Sequence, residues 1–303
     1  YNVNHLLQTP NLNSVSGKIT YVPIDPELVR LKAKAILDQD PDLVVLIETE
    51  GKEQVETFNQ EFLHSRYHIW RIPANSTRQS EIAMLLKKGL FSYGRYVSHR
   101  DMLFRDPLDR QTKRIWSRDV PVLYLQKSKD SAPSLVVAGV HLKSMRLDQT
   151  RLRDPGSRLL AGYQELALAE LARKVQSEVG TECPLVFAGD YNQPVGSRNS
   201  FPAVKAILHE AFSKAPNAPP VEERKTHISF GHGRFGLGDT TVENQLDAFF
   251  VSESTVGKII EARVIPQANC EGLLTRPRNL AERRHMFPSD HHPILLDLYL
   301  PGT

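Results

Sequence analysis

Near the C-terminal end of this 303-residue chain, Ser289-Asp290-His291 sets an acid beside an imidazole, and similar groups recur far upstream. Asp190-Tyr191-Asn192 follows the apolar run Leu185-Val186-Phe187-Ala188-Gly189, His141 closes the run that begins at Leu135, and Glu48 closes Val44-Val45-Leu46-Ile47. Asn2 lies in a short apolar stretch at the start. Glu48, Asp190, Asp247 and Asp290, gathered in a pocket of low effective dielectric, would repel one another strongly. Either some of them hold protons or a cation sits among them. The donors are oxygens without thiolates, which points to a hard ion, Mg²⁺ first and Mn²⁺ next, of the kind that bridges to phosphate. His141 and His291 add proton donors near neutral pH, able to stabilise an oxyanion or protonate a leaving group. A carboxylate behind a histidine fixes its tautomer and raises its basicity, and Asp247 and Glu81 are the candidates for that place. Asn2 and Asn192 can orient phosphate oxygens or a water without adding charge.

Groups this distant in sequence meet only if successive elements deliver them to one rim. Val44 to Ile47, Ile69 to Ile72, Ile82 to Leu86, Val120 to Leu125, Leu135 to Val140, Leu185 to Ala188, Gln245 to Val251, Ile259 to Ile265 and Ile294 to Leu300 read as strands. Asp25-Pro26-Glu27 opens a helix with Asp25 as N-cap, and Glu53 to Leu63, Gly156 to Val175 and Ala203 to Phe212 read as further helices. Lys214 to Asp239, rich in Pro, Gly and His, reads as a long loop that could meet substrate. Gly231-His232-Gly233-Arg234-Phe235-Gly236 has no strand-to-helix context and is not a phosphate loop. Strands unevenly interleaved with helices imply an α/β fold with mixed sheets. Because the reactive groups run from Asn2 to His291, dividing the chain would divide the site, so a single domain over 1–303 is expected. No apolar run approaches the roughly 18 residues of a membrane span.

The ordered set resembles the endonuclease/exonuclease/phosphatase superfamily, the DNase I-like fold. Tyr1-Asn2-Val3-Asn4 is similar to its opening Asn motif, Leu46-Ile47-Glu48 to its metal-binding glutamate strand, and Gly139-Val140-His141-Leu142-Lys143-Ser144 to its central histidine motif. Ala188-Gly189-Asp190-Tyr191-Asn192 is similar to its Gly-Asp-x-Asn motif, the stretch from Gln245 to Ser252 to its Asp strand, and Ser289-Asp290-His291 to its terminal motif. The resemblance implies a four-layer α/β/β/α sandwich of two mixed sheets and Mg²⁺-dependent phosphoester hydrolysis by in-line attack of water. It also implies that Glu48 is the main metal ligand, helped by Asn2 and Asp290. Asp190 and Asn192 would orient the nucleophile and the phosphate. His291 with Asp247 would act as base or phosphate ligand, and His141 with Glu81 as acid or transition-state donor. Thr226-His227 lies where relatives place a Thr-aromatic pair near substrate.

The form His141-Leu142-Lys143-Ser144 departs from the apurinic-endonuclease branch and disfavours abasic-site repair. Ser117-Arg118-Asp119-Val120-Pro121 is similar to the strand entry of DNase I-type enzymes, which places Arg118 near the phosphate groove. Arginines and lysines crowd the stretch from His99 to Arg118, and four more arginines lie between Arg276 and Arg284, either as solvated loops or as phosphate contacts. The arginine that usually follows the glutamate is absent, since Thr49-Glu50 stands there. The reading favoured is a nuclease on DNA or RNA, with a phosphatase or phosphodiesterase of lipid head groups or small phosphoesters as the alternative. A catalytically dead binding module is disfavoured by the complete set. A monomer is expected, and the processed-looking start at Tyr1 favours a secreted or periplasmic setting. Cys183 and Cys270 lack metal-ligand spacing and are either one disulfide or two thiols.

Overall fold

The computed structural model describes residues 1–12, 19–76, 80–106, 109–144, 155–197, 199–231, 240–273 and 286–301. In chain order, the hairpin β1 (Gln8–Leu12) and β2 (Ile19–Pro23) leads into α1 (Pro26–Leu37), β3 (Leu43–Thr49) and α2 (Lys52–Glu61). β4 (Tyr67–Trp70), β5 (Glu81–Lys87) and β6 (Tyr93–Val97) follow, then the small hairpin β7 (Leu103–Arg105) and β8 (Thr112–Arg114). Next come β9 (Val122–Gln126), β10 (Leu135–His141), α3 (Pro155–Val179) and β11 (Leu185–Asp190). After α4 (Pro202–Lys205), β12 (His209–Glu210) and α5 (Ala211–Lys214), the chain forms β13 (His227–Gly231) and β14 (Thr240–Asn244). β15 (Asp247–Val251), α6 (Glu253–Val256), β16 (Ile259–Val264) and β17 (Ile294–Leu298) complete it.

One mixed sheet runs β12-β15-β11-β10-β9-β6, with β10 and β11 parallel and the other neighbours antiparallel. A second runs β3-β5-β4, antiparallel throughout. β10 and β11 are buried along their whole length, as strands covered on both faces must be. Their outer face packs through Val136, Ala138 and Phe187 on Leu168, Leu171 and Val175 of α3. Their inner face meets the second sheet and β16 through Met84, Val137, Val186 and Ile259. Beyond the second sheet, Val29, Ala33 and Ile36 of α1 and Val55 and Phe58 of α2 pack on Val44, Leu46, Ala83 and Leu85. The order through the molecule is therefore helices, sheet, sheet, helix.

At Gly139 a Cβ would lie 2.7 Å from the Ile82 side chain, so side chains of the facing sheet occupy the space that any larger residue there would need. α1 begins where its sequence requires: the Asp25 side chain accepts from the Glu27 amide at 2.8 Å, and Pro26 takes the first turn.

Two expectations change. Ala203 to Phe212 is not one helix: it breaks into α4, the two-residue strand β12 paired with β15, and α5. Bonding of the backbone to a sheet edge outweighed local helical preference. The supposed loop from Lys214 carries the strand β13, which pairs with β14, and residues 232–239, including most of the Gly-rich stretch, lie outside the described residues. Cys183 and Cys270 are unbonded.

Candidate active site

Register assembles the site. His141 pairs with Asp190 across β10 and β11, and Asp190 pairs with Asp247 across β11 and β15, so one row of the sheet carries an imidazole and two carboxylates. That row requires Gly189, whose backbone has φ +151° and whose missing Cβ would fall 2.0 Å from the Val140 carbonyl oxygen. From the other sheet comes Glu48. The pairing steps from Ile47–Ile82 to Thr49–Glu81, leaving Glu48 as the extra residue of a bulge with φ 63°. Such a bulge turns a side chain out of the strand's alternation, and the left-handed backbone it requires is uncommon for glutamate. Asn2 bridges in parallel to Ile47, and His227 bridges to His291, so both ends of the chain are tied to this rim. Ser289 Oγ donates to the Asn2 carbonyl at 2.8 Å.

Asp190 is the hub. Its Oδ2 accepts from Asn2 Nδ2 and Asn192 Nδ2, each at 3.1 Å, and its Oδ1 accepts from the Asn192 amide at 2.7 Å. Its Oδ2 lies 3.7 Å from His141 Nε2 and 3.9 Å from His291 Nε2. Glu48 Oε1 is 3.4 Å from His141 Nε2 and 4.0 Å from the Arg118 guanidinium. Asp247 holds His291 Nδ1 at 2.7 Å, which turns Nε2 toward Asp190. Asp247 is itself seated by Thr226, whose Oγ1 accepts from its amide at 3.0 Å. Asp290 Oδ1 accepts from Asn4 Nδ2 at 3.2 Å. Asn2, Glu48, Arg118, Asp190, Asn192, His227, Asp290 and His291 line a cavity of about 1090 Å³.

Burial sets the charges. It lowers the His141 pKa well below the ordinary imidazole value, helped by the charges of Arg118 and His291. Burial opposes charge on His291 too, but Asp247, Asp190 and the hydrogen bond outweigh it and hold the pKa up at about 10. The Asp190 carboxyl is raised by burial, with Asp247 and Glu48 adding to the rise against His291. At neutral pH the pocket thus pairs a cationic His291 with a neutral His141.

The same facts test whether a cation fits. The buried Asp190 carboxyl, raised by burial first and further by the charges of Asp247 and Glu48, would be relieved by a cation, and both ring nitrogens of buried His141 lack a hydrogen-bond partner. Asp190, Asp247 and His291 offer ligand atoms within 4.8 Å of one another, as do His227, Asp290 and His291. Oxygen donors of Glu48, Asp290 and Asn2 face the same space, so the donor set suits a divalent ion.

Glu81 is a correction. Its buried carboxylate pairs with Arg71, and neither nitrogen of His141 has it as a hydrogen-bond partner. Arg71 follows the last residue of β4 and Glu81 is the first of β5, the strand beside it; nothing in Arg71's own sequence context marks it as the partner. Asn4, which steadies Asp290, was missed as a site residue. Its signal was its place two residues after Asn2 in the opening motif. Arg276 to Arg284 lie outside the described residues. Lys113 and Arg114 of the basic hairpin are tied to Asp106, Asp109 and Asp101.

The endonuclease/exonuclease/phosphatase family profile matches residues 2–291. The chain belongs to that family. Its members are phosphoester hydrolases that typically use a divalent metal. No curated protein sequence matches the chain. Among solved structures, truncated TDP2 from Caenorhabditis elegans superposes with a TM-score of 0.54 and 16% identity, covering 95% of each chain. D. rerio TDP2 complexed with a single-strand DNA product gives 0.57 at 12% identity over 90% of this chain and 92% of that one. A mannosyl-6-phosphatase from Bacteroides thetaiotaomicron gives 0.51 at 16% identity over 89% and 90%. Identities this low speak for the fold, which is the DNase I-like one.

Proposed function

We propose that the protein is a divalent-metal-dependent nuclease that hydrolyses phosphodiester bonds in DNA or RNA by in-line attack of water. The observation that carries this reading is the convergence of Glu48, Asp190, Asn192 and His291 on one cavity, with Asp247 fixing His291 and buried His141 directly behind Glu48 and Asp190. Glu48, Asn2 and Asp290 are the residues that would hold Mg²⁺, or Mn²⁺ in its place. A bound ion would neutralise phosphate charge and lower the cost of gathering these carboxylates. His291 enters as a cation and stabilises a non-bridging phosphate oxygen through Nε2–H. Asp190, raised by its surroundings and steadied by two asparagine amides, orients the water and accepts its proton. Neutral His141, beside Glu48 and Asp190, donates to the developing oxyanion, and Arg118 binds phosphate at the rim.

Nucleic acid is favoured by the arginines adjoining the cavity wall in sequence: Arg146, Arg151 and Arg153 follow Ser144, and Arg276, Arg278, Arg283 and Arg284 precede Phe287. The D. rerio TDP2 neighbour was crystallised with a single-strand DNA product, which is consistent with this choice. The second reading, a phosphatase or phosphodiesterase on compact substrates, is favoured by the ion-paired state of the β7–β8 hairpin, which leaves less free positive charge there. A panel of single-stranded DNA, duplex DNA, RNA, phosphosugars and phospholipid head groups, assayed with Mg²⁺ and with EDTA, separates them. Release of oligonucleotides or nucleotides supports the nuclease; release of inorganic phosphate or head group alone replaces it with the second reading.

A further inference from the structure

The catalytic residues form only part of the cavity wall. A volume of about 1090 Å³ is that of a site enclosing a whole ligand, well beyond a phosphate and its ion. Past Asn4 the wall continues onto the β1–β2 hairpin and the first turns of α1, through Thr9, Asn11, Val22, Ile24, Leu28 and Lys32. Thr9 and Val22 are partners in the hairpin register and Asn11 lies two residues beyond Thr9, so these three share one face. Val22 is apolar yet 43% exposed, so it brings apolar surface to the cavity that no part of the described chain covers.

This wall is fastened to the catalytic rim. The Ile24 amide donates to the Leu7 carbonyl at 2.8 Å, and Glu50, two residues after Glu48, accepts from the amides of Leu6, Leu7 and Gln8. Leu28 and Lys32 sit one turn apart on α1, and Lys32 Nζ donates to the carbonyl of His5, the neighbour of Asn4. A wall held in this way keeps its distance from Asn2 and Glu48, as recognition of a second part of the substrate requires.

Its chemistry suits a neutral group with a flat face and a polar edge. Val22, Ile24 and Leu28 offer apolar surface to a ring, while the Thr9 hydroxyl and the Asn11 carboxamide can each donate and accept at its edge. The charged groups here are engaged, Asp25 with the Glu27 amide and Lys32 with the His5 carbonyl, so the wall is poorly matched to a second phosphate.

We propose that the hairpin wall is a nucleoside subsite, which takes the base and sugar next to the scissile phosphate while the rim holds the phosphate itself. The subsite deepens the nuclease reading and rests on it for the position of the phosphate.

The test is calorimetry on Mg²⁺-loaded protein with two probes whose P–C bond resists hydrolysis, the phosphonate analogues of deoxyadenosine monophosphate and of deoxyribose phosphate. Wild type is expected to bind the nucleoside probe about tenfold more tightly than the sugar probe, the factor that contact with one base supplies. Val22→Asn should lose most of that preference while binding the sugar probe as wild type does. Asn11→Ala serves if Val22→Asn does not fold. In parallel, wild type should cleave single-stranded DNA about tenfold more slowly at phosphates flanked by an abasic residue, a difference that shrinks in the variant. Equal binding of the two probes by wild type, or a preference that both variants retain, overturns the subsite even where DNA is cleaved. Preference for the nucleoside probe without cleavage of any nucleic acid keeps the subsite and removes the nuclease reading.

Discussion

Replacing Asp247 by asparagine probes the charge arrangement most sharply. Asp247 is the chief group opposing the effect of burial on His291 and is bonded to its Nδ1 at 2.7 Å. Without that charge, only Asp190 and Asp290 still oppose burial, and the pKa of about 10 falls toward the ordinary imidazole value of 6.5. At pH 8 a group with a pKa of about 10 is nearly all protonated, whereas one at about 6.5 is roughly 3% protonated. At that limit the cationic fraction alone drops about 30-fold, and misorientation of the ring adds to the loss. The sign gives the pH trend: wild type keeps the cation until pH approaches 10, while Asp247→Asn loses it at a pH shifted down toward 6.5. Metal-supported hydrolysis should therefore fall by up to about 30-fold at pH 8 from the loss of charge and recover partly toward pH 6. Steady-state rates across pH 5.5 to 9 (roughly the range that brackets the imidazole titration), with ¹⁵N imidazole shifts to follow His291 itself, give the reading. A variant with wild-type rates at pH 8, or with His291 still charged there, would refute the reasoning.

Other substitutions test other parts. Glu81→Gln should lower thermal stability, because it takes the charge partner from half-buried Arg71, at a cost of up to about 3–5 kcal/mol, while leaving the shape of the pH–rate profile unchanged; a profile shifted on the His141 limb would restore Glu81 to the site. Gly189→Ala should cost more than about 4 kcal/mol, seen as loss of soluble protein or a collapse in Tm, because its Cβ meets the Val140 carbonyl. Saturating Mg²⁺, at about 100 times its Kd, should stabilise the fold by about 2.7 kcal/mol and raise Tm by several degrees, an increment that Glu48→Gln removes. Arg118→Ala should raise KM more than it lowers kcat, and equal effects on both would place the guanidinium in the transition state instead.

The strands that deliver the site were legible because each is an apolar run ended by a single polar group, as at Ile47-Glu48, Val140-His141 and Gly189-Asp190. Their lateral order was not, since it depends on pairings such as β10 with β11 across the whole of α3. The carboxylate behind His291 was legible because Asp247 sits on a strand of the same periodicity. The partner of Glu81 was hidden because Arg71 reads as a strand-end arginine like any other. Two further devices left no pattern. Glu48 reaches the pocket through a bulge with left-handed backbone, and the loop after Asn4 is held by buried groups. There Glu50 accepts from the amides of Leu6, Leu7 and Gln8, each at 2.7 Å, while Lys32 donates to the His5 carbonyl at 2.6 Å. These bonds secure Asn4 and His5, both left-handed, beside Asn2. Backbone strain offset by long-range polar contacts has no local signature.

The central claim is that this cavity hydrolyses phosphoesters with a divalent ion held by Glu48. It is tested most directly by the Mg²⁺ dependence of single-stranded DNA cleavage in wild type and Glu48→Gln, after removal of metal with EDTA. The expected result is no cleavage in EDTA, full recovery with Mg²⁺ in wild type, and a half-activating Mg²⁺ concentration raised at least tenfold in the variant. Cleavage that persists in EDTA, or a variant whose Mg²⁺ curve overlays that of wild type, would contradict it.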